Sequence, residues 1–164
     1  MKRVLITGMS GTGKSAVIEA LAARGHQTYD LDTPEWSGWI DVDPSDPLTP
    51  NHGKDWMWRD DRVRALLSAP GDAMLFVSGC AENMPQFFPL IDLVILLSAP
   101  LETLMQRLAA RPFGRYGHAV EDRQKVAGLI ATIEPMLRQS CDVEIDTGRP
   151  IDATVDEILR LARK

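Results

Sequence analysis

Eight residues near the start of the chain constrain its fold more than any other stretch: Gly8-Met9-Ser10-Gly11-Thr12-Gly13-Lys14-Ser15. They spell Gly-x-x-x-x-Gly-Lys-Ser. An apolar run, Val4-Leu5-Ile6, precedes them, and a helix-like stretch, Ala16 to Leu21, follows. Strand, glycine-rich loop and helix are the context in which this pattern cradles phosphate. Gly8, Gly11 and Gly13 free the backbone to turn its N–H groups toward one point, an anion nest. The helix behind the loop adds unpaired N–H groups and the positive end of its dipole. Lys14 brings a mobile charge for the terminal phosphates, and Ser15 a hydroxyl for Mg²⁺. Gly8, Met9, Ser10, Gly11, Thr12, Gly13, Lys14 and Ser15 are therefore the candidate nucleotide-binding residues.

A chain of 164 residues is expected to form one domain with a real core. Its net charge of −5 argues against a nucleic-acid partner, which normally needs a basic face. Lys2 and Arg3 are followed by too short an apolar run for a signal peptide, and no run approaches a membrane span. Cys80 and Cys141 lie far apart, outside any Cys-x-x-Cys, which suits a reducing cytosol. The reading is a cytoplasmic protein, monomeric or weakly dimeric. His26, His52 and His118 are too scattered to suggest a zinc site.

Along the chain, strands are expected over 2–7, 27–31, 73–78, 90–98 and 143–146. Helices are expected over 14–24, 54–68, 101–111, about 126–137 and 152–162. Gly25 stops the first helix. Trp56, Val63, Leu66 and Leu67 share one face of the second, and Pro135 threatens a bend in the long one. Residues 33–53, with Pro34, Pro44, Pro47 and Pro50, read as irregular. Arg111 to His118 is polar and glycine-rich, a candidate lid. Continuous apolar strands alternating with helices indicate a parallel sheet covered on both faces. Sites in such sheets form beyond the carboxyl ends of the strands.

Many P-loop proteins place a metal-holding Asp after a later apolar strand. Here Met74 to Val77 ends in Ser78-Gly79, and Leu93 to Leu97 ends in Ser98-Ala99-Pro100, with no acid at either end. The acids at a carboxyl end are Asp30 and Asp32, two apart and so on one side of an extended chain. One would hold Mg²⁺ through water, and the other would orient or deprotonate an acceptor hydroxyl. The residues alone do not decide which does which. No Asn-Lys-x-Asp guanine-reading motif is present.

The P-loop, the Asp-x-Asp after strand two, Trp58-Arg59, the glycine at the end of strand three and Arg111-Pro112 together resemble the shikimate kinases. The wider group is that of small kinases similar to nucleoside-monophosphate kinases. The resemblance spans nearly the whole chain. It implies a three-layer α/β/α fold around a five-stranded parallel sheet in the order 2-3-1-4-5. It places an acceptor-binding segment near 33–65 and a lid near 111–121. By the same resemblance Asp30 serves the metal and Asp32 the acceptor. Arg59 contacts the acceptor, Arg107 stacks on adenine, and Arg111 reaches the phosphates. The Asp146–Pro150 loop, with Arg149 and Pro150, lines the adenine. Two departures stand out. Shikimate kinases carry Gly-Gly-Gly where this chain has Ser78-Gly79-Cys80, and an Arg that grips the substrate carboxylate where this chain has Ile133. Losing that bidentate partner argues against shikimate as substrate.

Further residues complete the candidate set. Arg107 and Arg111 share a helix face, and Arg115 follows in the lid; guanidinium groups closing over a transferring phosphoryl group stabilise its charge. Arg59 falls within an apolar stripe, where a charge needs a partner or a ligand. Trp36, Trp39, Trp56 and Trp58 cluster with Glu35, Asp41, Asp43, Asp46 and Asp55. They form either a small local core or an aromatic, acidic pocket for a neutral or cationic hydroxyl compound. Arg59, Arg62 and Arg64 pull toward a phosphorylated acceptor instead. Ser78 and Cys80 sit at a strand end facing the expected crevice, where they would touch the acceptor, and Gly79, Trp36 and Asp32 join them as acceptor-binding candidates. Together these residues point to an ATP- and Mg²⁺-dependent kinase of a small hydroxylated metabolite, with Lys14, Asp32 and Arg111 as its catalytic groups. The alternatives are a nucleoside-monophosphate kinase and a nucleotide-dependent switch or ATPase.

Overall fold

The computed structural model describes residues 1–46 and 53–164. Pro47, Pro50 and His52, named above, lie outside the described residues. The element order is β1 (Arg3–Thr7), α1 (Lys14–Ala23), β2 (Gln27–Asp30), β3 (Ser37–Asp41), β4 (Lys54–Trp58), α2 (Asp60–Ser68) and β5 (Leu75–Ser78). A 3-10 turn over Met84–Leu90 follows, then β6 (Leu93–Ser98), α3 (Leu101–Ala109), α4 (Val120–Ser140), β7 (Val143–Asp146) and α5 (Ile151–Ala162).

Five strands form one parallel sheet in the order β2-β5-β1-β6-β7. Counting only these strands along the chain, that is 2-3-1-4-5, the order the resemblance implies. Alternation along each strand divides the core in two. Val4, Ile6, Phe76, Ile95 and Leu97 pack with Val17, Leu21, Val155 and Ile158 on the α1/α5 face. Leu5, Leu75, Val77, Val94 and Leu96 pack with Val63, Leu67, Phe87 and Leu137 on the other. Both faces are covered, which is why these strands read as unbroken apolar runs. The chain leaves α1 through Gly25, at φ 84, with its N–H on Ala22 O and that of His26 on Leu21 O. This is the glycine-terminated helix end expected. The long helix α4 continues through Pro135.

The segment expected to bind the acceptor departs from its predicted secondary structure. Residues 54–68 are not one helix: Lys54–Trp58 is strand β4, antiparallel to β3, and α2 begins only at Asp60. Residues 33–53 are accordingly not irregular throughout, since they contain β3. The helical spacing of Trp56 with Val63 and Leu66 is coincidental. Aromatic side chains favour a pleated surface, and Trp39 pairs across the ribbon with Trp56, ring centroids 5.1 Å apart. Asp60 and Asp61 then occupy the first turn of α2, where carboxylates suit the helix dipole.

Candidate functional site

The phosphate-loop geometry starts with three glycines at positive φ: 151° at Gly8, 88° at Gly11 and 99° at Gly13. A Cβ at Gly8 would lie 2.5 Å from the Leu97 carbonyl oxygen and 2.8 Å from Thr12 Oγ1, so only glycine lets the loop pass so close to β6. Thr12, fully buried, pins the turn by donating to Met9 O at 2.8 Å. Helix α1 opens at Lys14 with no side-chain cap, leaving its first N–H groups to the loop. Lys14 Nζ reaches across the loop to Gly8 O at 2.7 Å and Met9 O at 3.2 Å.

The end of β2 faces this loop. Ser15 Oγ donates to Asp30 Oδ2 at 3.0 Å, bringing together the two oxygen groups expected to serve Mg²⁺. Asp30 Oδ1 accepts the Asp32 N–H. The Asp32 carboxylate, also at the cleft, rests on protein donors. Its Oδ1 accepts Trp58 Nε1–H at 3.1 Å, and both oxygens face the Cys80 N–H, at 3.2 and 3.1 Å. Asp32 is ringed by protein, although part of its surface still reaches the cleft. That burial raises its pKa. The Lys14 charge and the Trp58 donor oppose the rise, and the Asp30 charge adds to it. Gly79 makes the convergence possible: at φ 154, a Cβ there would sit 2.7 Å from Asp32 Oδ1 and 2.9 Å from Trp58 Cζ2. Burial pushes the Cys80 thiol up, so its contribution here is the backbone N–H. Ser78 is fully buried and does not face the crevice.

On the opposite wall, Arg107 and Arg111 line the same cleft as Ser10, Lys14, Asp30 and Asp32, a space of about 380 Å³. Arg107 donates to Gly11 O at 3.2 Å, to Thr147 Oγ1 at 3.0 Å and to Thr147 O at 2.7 Å. It thus ties the phosphate loop to the β7–α5 connection. Thr147, itself buried, also donates to Thr12 O at 2.9 Å. Arg111 donates to Tyr116 O, and burial together with the neighbouring Arg115 charge lowers its pKa. The segment from 110 to 119 is braced by the His118 ring on Arg111 O and by the Gly117 N–H on Asp122 Oδ2. Arg123 also donates to His118 O. Arg115 is exposed on this segment and does not line the cleft. Nor do Arg149, which folds back onto Asp146 O, and Pro150.

The segment expected to bind the acceptor packs beside Asp32. Trp36 packs edge-on against Tyr29, with the Arg62 guanidinium over its ring. Trp56 Nε1 donates to Asp32 O at 3.0 Å. Arg59 is not within a helical apolar stripe. It precedes α2, is exposed, and rests its guanidinium against Gly38 and Pro34 O. It pairs with neither Asp55 nor Asp60. Arg62 donates to Glu35 O, and Arg64 pairs with Asp60. Asp55 is buried, and its hydrogen bond with Glu82 raises the Glu82 pKa.

Three residues at the site were invisible in the sequence reading. Trp58 stood beside Arg59 in a recognised pair, but nothing marked it as the donor to Asp32. Asn83 locks Trp58 through its main chain, accepting from Trp58 N at 3.1 Å and donating to Trp58 O at 2.8 Å. Thr147 carries no local signal at all.

Residues 4–127 match the family model described as AAA domain. Uncharacterized protein YqaC of Bacillus subtilis (strain 168) is 31% identical over 119 residues, covering 73% of this chain. The chain spans only 61% of that relative's length. Shikimate kinase from Acinetobacter baumannii, in complex with shikimate, superposes with a TM-score of 0.63 at 18% identity, covering 98% of this chain and 92% of its own. Shikimate kinase from Bacteroides thetaiotaomicron superposes at 0.58 with 14% identity, covering 99% of each chain. TT1252 from Thermus thermophilus does so at 0.58 with 16% identity, covering 98% and 97%. At such identities the likeness is one of fold. The chain belongs to the AAA domain family and carries the P-loop kinase-like α/β fold that the shikimate kinases share.

Proposed function

We propose that this protein is a single-domain, MgATP-dependent phosphotransferase acting on a hydroxyl of a small metabolite. One observation carries the reading: a phosphate loop with its lysine, a Ser15–Asp30 oxygen pair and the Asp32 carboxylate line one cleft, with two arginines opposite. The residues fit the implied ligands. Three glycines at positive φ form a cradle that a Cβ at Gly8 would fill, and Mg²⁺ favours oxygen donors such as Ser15 and Asp30. Bound MgATP would supply the phosphoryl group. Lys14 then neutralises charge on the terminal phosphates, and Arg111 does the same from the lid side. Asp32 accepts a hydrogen bond from the acceptor hydroxyl, aligns it and takes its proton. Arg107 holds the loop against the β7–α5 connection, and closure of the 111–121 segment excludes water.

The acceptor end supports a neutral or cationic hydroxyl compound over a nucleoside monophosphate. Arg59, Arg62 and Arg64 are already engaged with Pro34, Glu35 and Asp60, while Asp32 and Asp55 lie near Cys80 and Glu82 lies against Asp55. The test is ADP release from MgATP across sugars, cyclic polyols, amino alcohols and nucleoside monophosphates. At least one hydroxyl compound is expected to stimulate release, and Lys14→Ala to abolish it in a folded protein. No stimulation by any compound, or full turnover in Lys14→Ala, would overturn the assignment.

A further inference from the structure

Asp32 sits on the loop after β2, outside regular secondary structure, so its aim at an acceptor must be fixed by contacts from other segments. Its backbone is anchored by Trp56 Nε1, but its carboxylate direction is set elsewhere. Among the described residues, Trp58 Nε1 is the side-chain donor that touches it. Trp58 is itself among the most constrained residues of the molecule. It is 1% exposed, packs on Phe87 at a ring separation of 5.6 Å, and is clamped at both its N–H and C=O by Asn83. A buried indole N–H needs a partner, and here the partner is a carboxylate, which makes the stronger, charge-assisted bond. Asp32 lies between this rigid indole and the Cys80 amide, and Gly79 leaves no Cβ to block either approach.

We infer that Trp58 is a positioning residue for the phosphoryl transfer. Its indole N–H holds Asp32 Oδ1, so that the remaining lone pairs of the carboxylate face the acceptor. The inference rests on the proposed role of Asp32, and it makes the strand β4, not only the phosphate loop, part of the catalytic architecture. The donor is side-chain rather than backbone, so it can be removed without altering the chain path: Trp58→Phe keeps a buried ring and deletes the N–H.

Two measurements on the full chain test this. In ¹⁵N-indole spectra of the protein's four tryptophans, Asp32→Asn is expected to move the Trp58 N–H resonance upfield more than the other three. That peak is assigned by its absence in Trp58→Phe or, should that variant fail to fold, by its proximity to the Phe87 ring. In steady-state kinetics with MgATP and the panel compound giving most ADP release, Trp58→Phe is expected to lower kcat about 10- to 100-fold, as for loss of a charged hydrogen bond. The KM for ATP should stay unchanged. A merely structural role would worsen both together. A Trp58 indole resonance indifferent to Asp32→Asn, or parallel losses in kcat and ATP affinity, overturns the inference. If no panel compound is phosphorylated, the proposed function fails, while the indole response still decides whether Trp58 holds Asp32.

Discussion

Gly79→Ala is the substitution whose cost the structure fixes most tightly. The new Cβ would lie 2.7 Å from Asp32 Oδ1, 2.9 Å from Trp58 Cζ2 and 3.1 Å from Trp58 Nε1. Trp58 cannot retreat, since Phe87 and Asn83 enclose it. Asp32 must therefore move, breaking its bonds to Trp58 and Cys80. The backbone adds its own cost, because φ 154 is a region a side chain rarely adopts. Strain of about 1–3 kcal/mol and loss of charged hydrogen bonds of about 1.5–3 kcal/mol overlap, because relaxing one relieves part of the other. A net destabilisation of about 2–4 kcal/mol is expected, lowering Tm by roughly 5–12 °C for a chain of this size. Urea unfolding followed by tryptophan fluorescence measures it directly. Gly128→Ala is the internal control. Gly128 lies within α4 with nothing within 4 Å of an added Cβ. That variant should be neutral or stabilised by up to about 1 kcal/mol. If Gly79→Ala matched the control, the account of how Asp32, Trp58 and Cys80 converge would be wrong.

Two other perturbations probe the frame around the site. Thr147→Val keeps shape and burial but strips the hydroxyl that joins Thr12 O to Arg107; a loss of about 1–3 kcal/mol is expected for the partners left short, and an unchanged urea midpoint would remove Thr147 from the frame. Glu144 is held below its ordinary pKa, first by its hydrogen bond from Arg138. Its contribution is therefore present above the unfolded carboxylate pKa and lost as pH falls through the lower folded value. Both partners are partly exposed, so Glu144→Gln should cost less than about 1 kcal/mol at pH 7. The difference between the two proteins should shrink as pH falls through the folded Glu144 pKa, and a gap that widened on acidification would contradict the pairing.

The parts of the site legible in the sequence are those encoded by neighbours along the chain. The phosphate loop is a run of eight residues whose glycines, lysine and serine act through local backbone geometry, and Asp30 and Asp32 are placed by the end of one strand. The parallel sheet covered on both faces followed from strands too apolar to have an exposed face, while its strand order came only from the resemblance to the shikimate kinases. The acceptor segment was misread because its signal is not local. Trp56 and Val63 fit a helical period, yet β4 exists because Trp39, seventeen positions upstream, offers a cross-strand partner. Arg59 gained its apparent place in an apolar stripe from that same misassigned helix. Trp58 and Asp32 lie 26 residues apart, and Thr147 and Thr12 lie 135 apart. No periodicity carries contacts of that kind.

The two ends of the cleft are consequently built on different principles. The phosphate end is built largely from local backbone, namely N–H groups, glycine dihedrals and a helix start, with Lys14 and Ser15 as its side-chain contributors. The proposed acceptor end is a junction of three separate segments meeting at Asp32, with the Trp56 indole on its carbonyl and the Trp58 indole and the Cys80 main-chain N–H on its carboxylate. Trp58 also belongs to the apolar core with Leu31, Met84 and Phe87. Changes there cost stability and geometry together, because the group that aims Asp32 is the group that seals the core. Trp39 and Ile40, exposed on β3, carry no such double duty. The physical expectation is that acceptor preference can vary through the outer ribbon while the Asp32 junction stays fixed, since only the ribbon can change without loosening the fold beneath it.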